Sequence, residues 1–290
     1  MLWIFLMILC ALFFSLNHIT NKAILRDAGA FDTVIASSIL QILFILPFIG
    51  KVDFSISLKT LLLIAFAFSF GFGGYLMLNK CYKDNEVSTA APLLNLNPVL
   101  IIIVSYILLG ESLNMMQMVA VALIILGGYM ISLKRTTDFL RPFTSMPAKG
   151  FLQIGAVIFL WSFPAVLVKI ILRSTDFLTL AFFVYSGVFI FSSSWLLSKK
   201  RSFRIRSLFK QSWPLLGLSA FFLVAADILQ FYVTAMPAVM VSLLMPIKRV
   251  SSLFTVILGG RIFKENNIMG KLIASLIMIA GLFMIGFFSV

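Results

Sequence analysis

The chain is short of the residues that a water-exposed surface requires. Lys, Arg, Asp and Glu together make up 11% of its 290 residues, against the roughly 25% typical of a soluble globular domain. Acids are the scarcest, with 10 Asp and Glu against 23 Lys and Arg. One His and 2 Cys leave no disulfide framework and no metal-ligand spacing. Cys10 and Cys81 both fall in or beside apolar stretches and read as small core residues. No metal and no cofactor are expected. A membrane-embedded enzyme needs a nucleophile with its acid and base, or a metal cluster, and these few residues supply neither. No catalytic residue is assigned, and the chain is read as a non-enzyme.

What is abundant is apolar. Hydrophobic residues make up 61% of the chain and the mean hydropathy is +1.11, so the outside faces lipid. In lipid every backbone N–H and C=O needs an internal partner, which leaves helices or closed barrels. The apolar runs are continuous rather than alternating, which points to helices. The 31 Phe and 14 Met suit lipid-facing and loosely packed helix surfaces. Spans are expected near 2–25, 31–50, 58–80, 84–109 and 114–133, then near 151–173, 177–198, 213–235, 238–262 and 268–288. The first is not read as a signal peptide, because no basic segment precedes it and no small-residue cleavage site follows. The connections are too short for a soluble sensor or scaffold domain.

The chain also repeats itself. With an offset of 154, Val87-Ser88 match Val241-Ser242, Pro92 matches Pro246 and Glu111 matches Glu265. Ala120 matches Ala274, Gly127 matches Gly281, and Met130-Ile131 match Met284-Ile285. With an offset of 147, Ser15, Lys22 and Arg26 match Ser162, Lys169 and Arg173. Coincident Pro, Glu, Lys and Arg weigh far more than apolar matches in so hydrophobic a chain. A repeat of five spans must insert in opposite orientations in its two copies, an arrangement that lets one copy rock against the other around a midplane site. The expected fold is an all-α integral membrane protein of about ten transmembrane helices. They form two inverted five-helix repeats, residues 1–135 and 150–290, joined by a loop at 136–149.

Asn97-Pro98, then Leu109-Gly110-Glu111, then a span closing on Gly127-Gly128, resembles the repeat of EamA-type transporters in the drug/metabolite transporter superfamily. Met245-Pro246-Ile247-Lys248-Arg249, running on to Phe263-Lys264-Glu265, is similar to that family's second-half signature. The likeness spans essentially the whole chain. It implies ten spans as five plus five and a secondary transporter, an exporter or exchanger of small organic metabolites such as amino acids or related anions. Among other transport activities, a flippase for a lipid-linked, phosphate-bearing group is the alternative.

Ionisable residues at membrane depth are costly and are functional candidates by default. Asp227 lies in the eighth expected span, and Lys248 and Arg249 lie at the middle of the ninth. Asp227, Gln230 and Thr234 share one helix face, as do Ser242, Pro246, Arg249 and Ser252. Asp227 is expected to pair with Lys248 or Arg249, either merely locking two helices or leaving a surplus cation for an anionic substrate. The repeat counterpart of Arg249 is Asn95, beside Asn97 and Pro98. The first span adds Asn17 and His18, and His18 reads as either a titrating group or a hydrogen-bonded structural one. Trp161 and Tyr185 either line the cavity or pack as core. The substrate-binding candidates are therefore Asn17, His18, Asn95, Asn97, Trp161, Tyr185, Asp227, Gln230, Lys248 and Arg249. Pro92, Pro98 and Pro246 are candidate kinks or gates. Glu111 and Glu265 stand just before the last span of each copy, where a carboxylate suits a helix N-terminus.

The formal charge of +13 is expected in the connections. Lys199, Lys200, Arg201, Arg204, Arg206 and Lys210 form one run without an acid, which suits anionic membrane lipids and, lacking interleaved aromatics, not nucleic acid. The family likeness places both termini in the cytoplasm of a cell whose inner membrane holds the protein. Counting positive charges in the connections gives the reverse orientation. Oligomeric state is not legible in the sequence.

Overall fold

A computed structural model describes residues 2–24, 30–85, 87–133, 138–198, 202–255, 258 and 268–288. Among these there is no β-strand, and 8 helices are long and apolar enough to cross a membrane. In chain order the helices are α1 (Leu2–Ile24), α2 (Ala30–Ile45), α3 (Leu58–Asp84), α4 (Val87–Leu94), α5 (Asn97–Leu109) and α6 (Met115–Ile131). After α7 (Arg141–Ser145) come α8 (Ala148–Ile171), α9 (Phe177–Ser198), α10 (Ser202–Ala235), α11 (Val241–Lys248) and α12 (Ile268–Phe288). α6 is a shorter apolar helix, and α4 with α5 makes one broken span. The expected ninth span falls partly outside the described residues, which include α11 and a further helical stretch at 251–255.

Local chemistry sets the helix starts. Asn114 and Gln117 form a reciprocal capping box at α6, satisfying amides that have no partner within the helix. The Asp176 carboxylate does the same for α9, accepting from the N–H groups of Leu178 and Thr179 at 2.8 and 3.0 Å. Two expected boundaries are corrected. α8 begins at Ala148, slightly earlier than expected. α10 begins at Ser202, so the described part of the basic run is helical rather than an open connection. That lead-in bends at Ser212, where φ is −130°. Pro214, two residues on, has no N–H to offer the preceding turn. Ile205 and Leu208 of the lead-in are buried against Ile24, Ile35 and Leu216, while Arg206 and Lys210 are exposed.

The two broken spans share three backbone bonds. Between α4 and α5 the N–H groups of Asn95, Leu96 and Val99 donate to the carbonyls of Pro92, Leu93 and Leu96 at 3.0–3.1 Å. After α11 the N–H groups of Arg249, Val250 and Leu253 donate to Pro246, Ile247 and Val250 at 2.9–3.0 Å. Each pair of bonds is related by the 154-residue offset. Bonds to the third preceding residue mark tightened turns, and the buried prolines Pro92, Pro98 and Pro246 cause them by withholding the amides a regular helix would use.

Helix packing depends on close approach. α6 and α12 run antiparallel, and a Cβ on Gly127 would lie 2.7 Å from the Ala274 carbonyl oxygen. A Cβ on Gly281 would lie 2.6 Å from the Ala120 carbonyl oxygen. The contact is reciprocal, since Ala274 and Gly281 are the offset partners of Ala120 and Gly127. α1 packs on α10 and α3 on α8, with α2 against α9 and α10. α11 sits at the centre, with Val241 to Ile247 all buried.

Candidate functional site

The side chain that ends α11 reaches the last turns of α10, and the strongest polar cluster forms there. Asp227 and Gln230 share a face of α10, and Lys248 closes α11. The Lys248 ammonium donates to Gln230 Oε1 at 2.5 Å and stands 4.0 Å from Asp227 Oδ1. Tyr185, buried on α9, donates its hydroxyl to Asp227 Oδ2 at 2.8 Å. Below the ammonium lies the Phe14 ring of α1, 3.7 Å from nitrogen to centroid, a cation–π geometry. His18, one turn on, places its ring 5.5 Å from that of Phe14, and it is exposed although its helix is central. The Asp227 and Lys248 side chains each expose 22% of their surface, so the pair is partly buried.

The turn after α11 adds a second arm. Arg249 donates to Asn97 Oδ1 at 2.9 Å. Asn97 in turn donates to Ser162 Oγ at 3.0 Å and to the Ile158 carbonyl at 3.1 Å, which ties the start of α5 to α8. Between Asp227 and the two bases, the carboxylate's ion partner is Lys248. Tyr185, Asp227, Gln230, Lys248, Arg249, Asn97 and, across Phe14, His18 thus form one neighbourhood fed by five helices.

Three candidates lie elsewhere. Asn17 donates to the Ser219 carbonyl and hydroxyl at 2.8 and 2.9 Å, and Asn21 and Ser219 complete a ring of hydrogen bonds between α1 and α10. Asn95 turns away from Asn97 and donates to the Gly128 carbonyl at 2.7 Å and to Ser132 Oγ at 2.8 Å, fastening the first break to α6. Trp161 donates to the Gly71 carbonyl at 3.1 Å, and its ring fills the space a Cβ on Gly74 would need. Pro246 stands two residues before Lys248 and aims it. Pro92 and Pro98 shape the break that presents Asn97.

Sequence reasoning missed Phe14 and gave Ser162 no role. One phenylalanine among many carries no signal, but the match of Ser15 with Ser162 was one. It also put the Glu111 carboxylate at the wrong helix. Glu111 precedes α6, yet its carboxylate accepts from the N–H groups of Val241 and Ser242 at the start of α11, at 2.8 and 2.9 Å. Glu265 lies outside the described residues.

Residues 1–133 match the model of the EamA-like transporter family. No curated protein matches the chain by sequence. Among solved structures, a crystal structure of a protein that is 15% identical superposes with a TM-score of 0.69, covering 96% of this chain and 96% of the other. At that identity the likeness concerns the fold alone.

Proposed function

We propose that the chain, a multi-pass membrane protein whose residues 1–133 match the EamA-like transporter family, is a secondary carrier of small organic metabolites such as amino acids or related anions. It works by alternating access as an exporter or exchanger in the inner (cytoplasmic) membrane. The observation that carries this reading is the loose, partly buried pair of Asp227 and Lys248, 4.0 Å apart with Tyr185 and Gln230 as second partners.

A buried ion pair costs desolvation on both sides and is kept where the geometry uses it. A substrate carrying an ammonium and a carboxylate replaces it charge for charge. The ammonium takes Asp227 with Tyr185 still attached, and the carboxylate takes Lys248. Arg249, held at 2.9 Å from Asn97, offers a planar two-pronged donor to the same carboxylate. An anion without an ammonium leaves Asp227 with Lys248 and uses Arg249 alone. Phe14 and the apolar wall of α1 take the substrate's carbon skeleton.

The rocking parts are the two inverted copies, 1–135 and 150–290. The matched breaks and the reciprocal antiparallel contact of Gly127 and Gly281 support that division. Anionic lipid headgroups meet Arg206 and Lys210 on the exposed face of the lead-in to α10. The carrier is tested in proteoliposomes loaded with a metabolite mixture, by following counterflow of labelled amino acids and organic anions. Asp227→Asn is expected to abolish exchange of zwitterions and to spare part of the exchange of simple anions. Unchanged zwitterion exchange in a folded Asp227→Asn protein overturns the assignment.

A further inference from the structure

We propose that Glu111 and Lys169 are the two jaws of a clasp on the linker between α10 and α11, and that opening this clasp admits solvent to the central site from that end of the bundle. This inference rests on the carrier reading above.

The linker, residues 236–240, is gripped by opposite charges at its two ends. The Lys169 ammonium, on α8, donates to the carbonyls of Thr234, Met236 and Val239 at 2.8, 2.6 and 3.0 Å. An ammonium has three donors; one is spent on Thr234 at the end of α10, whose last carbonyls have no helical amides to satisfy them, and two on Met236 and Val239 of the linker itself. At the other end Glu111 accepts from the N–H groups of Val241 and Ser242, and from the Ser242 hydroxyl at 2.6 Å. These are the orphan amides at the positive end of the α11 dipole. Gly110 makes the reach possible. It ends α5 at φ 69°, a left-handed turn that favours glycine, and sends the chain toward α11.

The clasp sits between the parts of the binding site. Asp227 and Gln230 lie on the last turns of α10 before the linker, and Lys248 ends α11, the short helix that follows it. Whatever fixes the linker fixes the carboxylate against the ammonium. Glu111 and Lys169 are therefore positioning residues, acting on the site through α10 and α11. Both jaws are half-buried, so water can take over their bonds when they part. A fully buried set of charge-assisted bonds would make opening prohibitive.

The same set of residues recurs in the sequence. The offset partners of Glu111, Val241 and Ser242 are Glu265, Val87 and Ser88, and the partner of Lys169 is Lys22. The Lys22, Ser88 and Glu265 side chains lie outside the described residues. A fixed brace has no need of a second set, whereas alternating access needs one clasp for each end.

The test reads sidedness without any substrate, so its failure is distinguishable from failure of the carrier reading. Cys10 and Cys81 are replaced by alanine, His18→Cys supplies a reporter beside Lys248, and a membrane-impermeant maleimide is added to oriented proteoliposomes from either side. Glu111→Gln and Lys169→Gln are each expected to speed labelling from the linker side about tenfold, and to slow it from the opposite side. Glu265→Gln is expected to give the mirror image. Rates that stay unchanged, or that rise equally from both sides as loosened packing would produce, overturn the clasp. If Glu111→Gln does not fold, Ser242→Ala removes one of its three bonds and is expected to shift sidedness in the same direction by a smaller factor; no shift overturns the proposal.

Discussion

Gly127→Ala tests the reciprocal contact between α6 and α12. An ideal Cβ there stands 2.7 Å from the Ala274 carbonyl oxygen and 2.4 Å from Met278 Cγ. Met278 can swing aside, but a helix carbonyl cannot. The two helices must part by on the order of 1 Å, which forfeits a quarter to a half of the dispersion well of each facing atom pair. Overpacking of this kind costs about 1–3 kcal/mol, and alanine's better helix propensity returns up to ~1 kcal/mol. Because two of the atoms met are backbone, the Ala274 carbonyl oxygen and the Met278 nitrogen at 3.0 Å, the cost falls in the upper half of that range, and the expected net loss is about 1–2 kcal/mol. Gly155→Ala on α8 is the control, because nothing lies within 4 Å of its Cβ; it should be neutral or slightly stabilising. Gly281→Ala should match Gly127→Ala, since its Cβ meets the Ala120 carbonyl oxygen at 2.6 Å. The double variant should lose less than the sum, because one separation of the helices accommodates both methyls. Reversible unfolding in mixed detergent micelles, followed by tryptophan fluorescence, measures all four. A neutral Gly127→Ala, or strictly additive losses in the double variant, refutes the reciprocal close contact.

Three further outcomes are expected. Asp84 is held below the usual carboxylate range, first by the Gln153 amide that donates to it at 2.9 Å and then by Lys149, also at 2.9 Å. A depressed carboxylate stabilises the fold above its unfolded value of about 4 and loses that contribution as pH falls through its folded value. The acid limb of the unfolding midpoint should therefore flatten in Asp84→Asn, and identical acid limbs would count against the α3–α8 clasp. Tyr185→Phe removes the hydroxyl that donates to Asp227, and should lower transport kcat/KM about tenfold for zwitterions while leaving the thermal midpoint within a few degrees; a pure stability loss with normal transport refutes a role at the site. Arg249→Asn installs the residue the first copy carries, and should keep helix content while weakening anion exchange about 10- to 100-fold. Exchange at the parent rate is the result that removes Arg249 from the site.

Most of the scaffold was legible because lipid imposes it. Apolar runs near 20 residues admit one structure, and the starts and ends of α1, α3, α9 and α12 fall within a few residues of expectation. The break at Asn95-Leu96 was signalled by Pro92 and Pro98, and its match at Arg249-Val250 by Pro246, the offset partner of Pro92. The lead-in to α10 was missed because six bases within twelve residues read as solvated chain. Its apolar residues, Ile205 and Leu208, become informative only once Ile24 and Leu216 are seen behind them. Side-chain destinations were the least legible. Asn95 and Asn97 are two residues apart and serve opposite ends of a turn, one bound to α6 and the other to Arg249. Asn17 and His18 are adjacent, yet one joins the ring with Ser219 while the other faces Phe14. Near a break or on a helix packed on several sides, one residue of phase decides the partner, and apolar periodicity does not fix that phase. Glu111 was misdirected for a related reason. The dipole argument was sound, but the nearest helix in sequence was already capped by Asn114.

The matched breaks also explain how a near-symmetric scaffold carries an asymmetric interior. The tightened turns at 95–96 and 249–250 are set by backbone bonds and by the missing amides of proline, so they do not depend on which side chains occupy the turn. The turn position is therefore free to diverge. In the first copy it carries Leu94 and Asn95, with Leu94 buried and the Asn95 amide spent on α6. In the second it carries Lys248 and Arg249, whose cations meet Gln230, Asp227 and Asn97. The first break is spent on fastening α4 to α6, and the second presents two cations to α10 and α5. Because Asn97 of the first copy also receives Arg249 of the second, the site straddles both copies. On the proposed rocking of 1–135 against 150–290, the Arg249–Asn97 bond spans the boundary between the moving parts.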